Sequence, residues 1–317
     1  MARSGILVCW RAAVKIRRDR ELSPDLIDKR AETRAAAGRG LAIPGGAKGG
    51  IGGVILMLVL ALLGGSQLTG GGGGGTGIDI GDILGQMSGV QAPGTASSVP
   101  GAPDPQADEV AFVSFVLDDI QEFWTEEFKA SGMTYERAKL VLFERSVTTG
   151  GCGSAPSAVG PFYCPADRTA YIDLTFFAEL AAQLKFSGDF AQAYVIAHEL
   201  GHHVQNLTGV NAQVRDASAK DPSKANEYSI RQELQADCFA GAWAYSVYEA
   251  GLLESGDAEE ALNAASAVGD DRIQSQSGTA INQETWTHGS SEQRVKWFKR
   301  GFESGDPGQC DTFSGSY

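Results

Sequence analysis

The stretch AHELGHHVQ, residues 197–205, decides how this chain is read. It lies in a longer run, 190–207, with apolar residues Tyr194, Val195 and Ile196 and with Asp189 in front as a good helix N-cap. On a helix, His198 and His202 stand four residues apart and project from one face. Two imidazoles on one face suit a shared zinc ion, which binds nitrogen at about 2.0–2.1 Å. Glu199 stands beside that position, where a carboxylate can accept a proton from water. The pattern is H-E-x-x-H, whose chemistry is metal-assisted peptide hydrolysis. With 4 histidines in 317 residues, its chance occurrence is on the order of three in a thousand.

A catalytic zinc site needs a third protein ligand and an open fourth position. No further histidine follows at H-x-x-G-x-x-H spacing, so a carboxylate must serve. Residues 223–250 read as a long helix closed by Gly251, and it carries Glu233 and Asp237 on one face. Glu233 completes a His₂Glu set for one Zn²⁺ per chain. Asp237 is placed to accept a hydrogen bond from a ligand imidazole and so fix its tautomer. An E-x-x-x-D pair by itself is ordinarily a solvated face. Its place on a separate helix after the two histidines gives it the functional reading. His203 points away from His202 and is expected beside the site or partly exposed. His288, in THGSSEQR, is the candidate stabiliser of the oxyanion formed during hydrolysis. Tyr163, Tyr171 and Arg294 compete with it, and spacing does not choose among them.

The remaining body reads as helices over Ala107–Ala130, 174–184, 258–268 and 292–302, with strands at 139–147 and 169–174. The expected fold class is α+β, a mostly helical domain with a small sheet, over residues 107–317. By fold analogy, the strand at 169–174 is the sheet edge that aligns substrate by strand addition.

Residues 1–50 hold 11 Lys and Arg against 5 Asp and Glu, although the chain as a whole has a formal charge of −13. The overall sign excludes a general nucleic-acid binder. No charge interrupts 49–78, and 49–68 is long enough for one transmembrane helix. The positive-inside rule then leaves residues 1–48 in the cytoplasm as a basic head and puts everything after 68 outside. That topology accounts for the basic run without a signalling role for the head. Residues 69–106, with six consecutive glycines from Gly70 to Gly75, read as a Gly/Pro-rich linker. Four cysteines fall in the outer part, an even number suited to an oxidising compartment. Cys152 and Cys164 flank a Gly/Pro-rich loop and are expected to pair locally. Cys238 is then left for Cys310, against the alternative of a buried free thiol.

The stretches CGSAPSAVGPFYCPADRTAYIDL (152–174), AHELGHHVQ (197–205), ELQADCFAGAWA (233–244) and THGSSEQRVKWF (287–298) resemble the bacterial membrane-anchored neutral zinc metallopeptidases. The resemblance spans roughly 107–317 and the layout before it. It implies a zincin-type fold, His198, His202 and Glu233 as metal ligands, Glu199 as the catalytic residue, and peptides or proteins as substrates. It also implies a cell-envelope location. The first 25 residues are unlike the family's usual start, which points to a start codon placed too far upstream. The rival reading is a non-catalytic envelope scaffold or binding module stabilised by zinc. Glu199, which a structural zinc site does not need, argues for catalysis.

Overall fold

Strand β2, Lys139–Phe143, is apolar at four successive positions, and all four are buried. Such a run belongs in a sheet covered on both faces. In the computed structural model, which describes residues 21–37, 104–178, 189–276, 281–315 and 317, β2 is a central strand. It pairs in parallel with β6, Thr169–Asp173, with Leu140 opposite Ala170 and Leu142 opposite Ile172. Strand β5, Phe162–Cys164, pairs antiparallel with β6. Strand β1, Leu26–Asp28, pairs in parallel with β2, giving the order β1-β2-β6-β5. A separate hairpin joins β3, Ser146–Thr148, to β4, Ser154–Pro156. The architecture is mostly helical with a small sheet, as the α+β reading requires. The strand expected at the edge, 169–174, is internal, and β5 is the outer strand. A tight turn through 165–168, with Arg168 at φ 55°, folds β5 back onto β6.

Side chains alternate across this sheet. Leu140, Leu142, Ala170 and Ile172 face the main core with Val113, Leu117 and Ile120 of α2 (Ala107–Ala130) and Ile196 and Leu200 of α3 (Asp189–Leu207). Each fully buried Leu or Ile contributes about 1.5–3 kcal/mol. Val141, Phe143, Phe162 and Tyr171 face the opposite side, in a smaller cluster with Val147 and Val159. The Cys152–Cys164 disulfide staples the loop over that cluster.

Helix α5, Ala225–Glu249, packs on α2, on α3, on α4 (Val210–Lys220) and on α8 (Ser291–Ser304). Helices α6, Asp257–Ala267, and α7, Asp270–Gln276, pack against α8. A Cβ on Gly241 would stand 2.1 Å from the Phe298 carbonyl oxygen, and one on Gly301 would stand 1.9 Å from that of Cys238. Helices α5 and α8 therefore touch backbone to backbone. The Cys238–Cys310 disulfide ties the C-terminal tail to α5 across a sequence separation of 72. On the chain-entropy account, such a closure contributes about 4 kcal/mol. Both disulfides pair as the sequence suggests, and Cys238 is not a free thiol.

The N-terminal segment departs from its expected place. Strand β1 and helix α1, Arg30–Ala37, fall within the expected basic head but belong to the folded domain, which therefore does not begin at Ala107. Buried Asp25 pairs with Arg137 and Lys139, each at 2.5 Å. Burial works to raise the Asp25 pKa, and these two partners outweigh it and lower it. Buried Arg30 binds Asp28 at 2.7 Å and Asp104 at 2.6 Å. Two apolar residues, Leu26 and Ile27, between Asp25 and Asp28 give no strand signal, and the surrounding basic residues read instead as a topology determinant. The packing requires residues 23–37 and the domain after Asp104 to share one compartment, whereas a single crossing at 49–68 would separate them. The segment 49–68, the linker up to 103 and most of the helix expected over 174–184 lie outside the described residues. Among the described residues, no helix is long and apolar enough to cross a membrane.

A labelling experiment reads this directly. Ile27 and Met133 are exposed at 38% and 49%. In intact cells, Ile27→Cys and Met133→Cys should react alike with a membrane-impermeant thiol reagent, both labelled or both protected. Labelling of one alone would place β1 and the domain on opposite sides.

Candidate metal centre

Helix α3 crosses α5 at Gly201, where an added Cβ would lie 3.1 Å from the Ala236 Cα. That close approach sets Glu233 of α5 against two successive turns of α3. The Nε2 of His198 lies 3.1 Å from Glu233 Oε2, and the Nε2 of His202 lies 3.5 Å from Glu233 Oε1. The three ligand atoms lie within 4.8 Å of one another, and all three residues are buried. Two imidazole nitrogens and a carboxylate are the donor set of a catalytic zinc site.

The tautomers fit that use. The Nδ1 of His198 donates to Asp237 Oδ1 at 2.9 Å, because a carboxylate only accepts. The Nδ1 of His202 lies 2.9 Å from Gln205 Oε1. The Gln205 amide is oriented by its Nε2, which donates to the Gln232 carbonyl oxygen at 2.7 Å. Both rings therefore turn Nε2 toward Glu233.

Asp237 is fully buried and accepts further hydrogen bonds. Its Oδ1 also accepts from Tyr194 Oη at 2.5 Å and Arg294 Nη2 at 2.8 Å, and its Oδ2 accepts from Arg294 Nε at 2.7 Å. Burial works to raise its pKa, and Arg294 and His198 outweigh burial and hold it low. Burial likewise favours the neutral form of His198, but the hydrogen bond and charge of Asp237, with Glu233 behind, raise its pKa to about 9. His202 lacks such a partner, and burial lowers it to about 4. Glu233 is held low by His202 and His198 against its burial. Without metal, the charges of Glu233, Asp237, Arg294 and protonated His198 cancel. A dication held there in place of the His198 proton, with Glu199 ionised, would give a second set that cancels.

Glu199 is 6% exposed, and its Oε2 is buried with no hydrogen-bond partner. Burial pushes its pKa up to about 7, with the Glu233 charge adding to this against His198, Arg294 and the backbone amide of Tyr163. An unsatisfied buried acceptor costs about 1–3 kcal/mol.

The other sequence candidates separate clearly. His288 sits on the turn before α8, buried, with Nδ1 3.2 Å from Asp270 Oδ1. Asp270 Oδ2 accepts the backbone N–H groups of Thr287, His288 and Gly289. Gly289, at φ 86°, packs against Ile230 and Leu234, which flank Glu233 on α5. The His288 imidazole is close enough to help lower the Glu233 pKa. The Tyr163 hydroxyl lies 2.8 Å from His203 Nδ1, and the Tyr171 hydroxyl donates to Asp167 at 2.6 Å. His203 is fully buried rather than partly exposed, and its Nε2 donates to the Glu136 carbonyl oxygen at 2.6 Å. It fixes α3 to the segment before β2. Tyr194, Gln205, Gln235 and Asp270 escape a reading by motif. Gln205, at i+3 from His202, and Tyr194, four residues before His198, are findable from helical spacing.

Residues 15–313 match the family described as "Putative neutral zinc metallopeptidase", and the chain belongs to that family. It is similar to "Uncharacterized protein YpfJ" of Escherichia coli (strain K12), 49% identical over 237 residues, 74% of this chain and 82% of that protein. It is also 50% identical over 191 residues to "Uncharacterized protein Rv2575" of Mycobacterium tuberculosis (strain H37Rv), 57% of this chain and 64% of that protein. No solved structure matches it. The family match begins before β1, in keeping with the place of β1 in the sheet.

Zinc uptake should therefore release protons. Ligands bind metal deprotonated. Below about 9, His198 holds a proton that metal must displace. Affinity should climb with pH and level off above that value. At pH 8, calorimetry in two buffers of different ionisation enthalpy should report about one proton released per zinc. Identical heats in the two buffers would contradict the assignment of His198.

Proposed function

For this member of the zinc metallopeptidase family, we propose a zinc-dependent endopeptidase that acts on peptides or proteins outside the cytoplasm. His198, His202 and Glu233 hold the metal, and Glu199 is the general base. The observation that carries this reading is the unpartnered, buried carboxylate oxygen of Glu199 beside the three convergent ligands. A site that held zinc for stability alone gains nothing from such a group and bears its desolvation. No observation favours the scaffold reading over this one.

Zinc, when bound, supplies Lewis-acid polarisation of the scissile carbonyl and acidifies water beside it. Glu199 takes a proton from the attacking water and returns it to the leaving amine. Its burial favours the neutral carboxyl and so eases both transfers near neutral pH. Asp237 keeps His198 in the ligating tautomer and is itself fixed by Arg294 and Tyr194. His288, oriented by Asp270, hydrogen-bonds the developing oxyanion. The hydroxyls of Tyr163 and Tyr171 are engaged elsewhere, and Arg294 is committed to Asp237. The amide of Tyr163, on outer strand β5, faces Glu199, which supports β5 rather than β6 as the strand along which substrate runs. The two disulfides support an oxidising compartment.

Two variants test the roles. Glu199→Gln should keep zinc and lose peptide hydrolysis by a factor of about 10² to 10⁴, the usual worth of a general base. His288→Phe should lower kcat by about 10² to 10³ with a smaller change in KM. Full activity in Glu199→Gln defeats the mechanism. A wild-type chain that binds zinc but cleaves nothing in a peptide library returns the scaffold reading.

A further inference from the structure

The two ligand histidines are supported differently. His198 leans on a carboxylate, whereas His202 leans on a neutral amide that belongs to a longer chain of hydrogen bonds. The Nδ1–H of His202 donates to Gln205 Oε1 at 2.9 Å. Gln205 Nε2 donates to the Gln232 carbonyl at 2.7 Å and to Gln235 Oε1 at 3.1 Å. Gln235 Nε2 donates to the Cys310 carbonyl at 3.0 Å. Every residue in this chain of bonds is buried, with Gln205 at 0% and Gln235 at 8% exposure. Both amide orientations are forced, because each Nε2 faces a backbone carbonyl that only accepts. All donors point the same way, outward from the imidazole, so each bond polarises the next. The terminal carbonyl belongs to Cys310, which the disulfide holds to Cys238 on the same helix that carries Glu233 and Gln235.

We propose that Gln205 and Gln235 are positioning residues that hold His202 in its ligating tautomer and orientation, with the disulfide-anchored Cys310 carbonyl as the fixed end of the relay. This rests on the reading of His198, His202 and Glu233 as the metal site. Gln205 supplies the acceptor that makes Nδ1 the protonated nitrogen and leaves the Nε2 lone pair for metal. Gln235 keeps the Gln205 amide from turning over. A flip of the Gln205 amide would set an N–H donor against the His202 Nδ1–H. The ring would then have to move its proton to the ligating nitrogen or rotate away.

The test uses the full chain, stripped and titrated with zinc against a competing chelator. The visible spectrum of the cobalt-substituted protein reports ligand geometry, and melting without metal reports stability. Gln205→Leu should bind zinc about 10- to 100-fold more weakly, the usual cost of losing a partner of a ligand histidine. Gln205→Glu should bind zinc more tightly than Gln205→Leu, because a carboxylate still accepts from Nδ1–H, while its buried charge and the lost donor to the Gln232 carbonyl lower the melting temperature. Gln235→Leu, which touches neither ligand nor metal, should weaken zinc binding in the same direction and shift the cobalt bands. If Gln205→Leu and Gln235→Leu lower the melting temperature but leave zinc affinity and cobalt bands unchanged, the glutamines only fill space and the relay is wrong. If Gln205→Leu does not fold, Gln235→Leu decides by the same two readouts. If Glu233→Ala keeps full zinc affinity, the ligand assignment fails first, and the relay with it.

Discussion

The buried carboxylate of Asp237 is the interaction on which the rest depends. It joins three helices: Tyr194 and His198 of α3, its own α5, and Arg294 of α8. A charge with no exposure is tolerable only when paired and hydrogen-bonded, and here a two-pronged guanidinium does both. Removing Arg294 would leave that charge uncompensated. Removing Asp237 would strand Arg294 and free the His198 ring. The geometry of the candidate metal ligands and the packing of the helical layer are therefore set by one group, and neither can relax without disturbing the other.

That arrangement requires unusually short distances between helices. Gly241 and Gly301 let α5 and α8 meet at their backbones, which brings Arg294 within reach of Asp237. Gly201, between the two ligand histidines, lets α3 approach Ala236, between Glu233 and Asp237. A methyl group at Gly241 or Gly301 would overlap a backbone carbonyl, and backbone does not move aside as a side-chain end can. The glycine within the HELGH stretch is thus a packing device for the metal site rather than a flexible point.

The candidate site was legible in the sequence because it is local. His198, Glu199 and His202 lie on one helix, Glu233 and Asp237 on another, and i, i+4 spacing fixes which face each presents. Both disulfides followed from counting. What sequence spacing could not give is whatever depends on partners far along the chain. Asp270 reaches His288 from the start of α7, Gln235 reaches the Cys310 carbonyl, and Arg294 turns from an oxyanion candidate into the anchor of Asp237. Strand β1 failed for a further reason. Its three residues are held by a parallel ladder to β2, and Asp25 just before them by ion pairs with Arg137 and Lys139, none of which leaves a periodic signal. Its basic neighbours read as a topology signal because charge counts do not tell a solvated Arg from one buried between Asp28 and Asp104.

The unequal support of the two histidines follows from charge balance. Arg294 and the dication that His198, His202 and Glu233 would hold would together offset the carboxylates of Glu199, Glu233 and Asp237. A carboxylate behind His202, matching the one behind His198, would add a negative charge with no cation to meet it in a buried site. Such a charge favours metal but destabilises the protein without it. A glutamine supplies the same acceptor at no net charge, but an amide has two ends and must be told which way to face. The Gln232 carbonyl and the Gln235 side chain give that instruction, and the Cys310 carbonyl gives it to Gln235. The relay is thus the structural consequence of choosing a neutral acceptor, and the Cys238–Cys310 bond holds its far end in place.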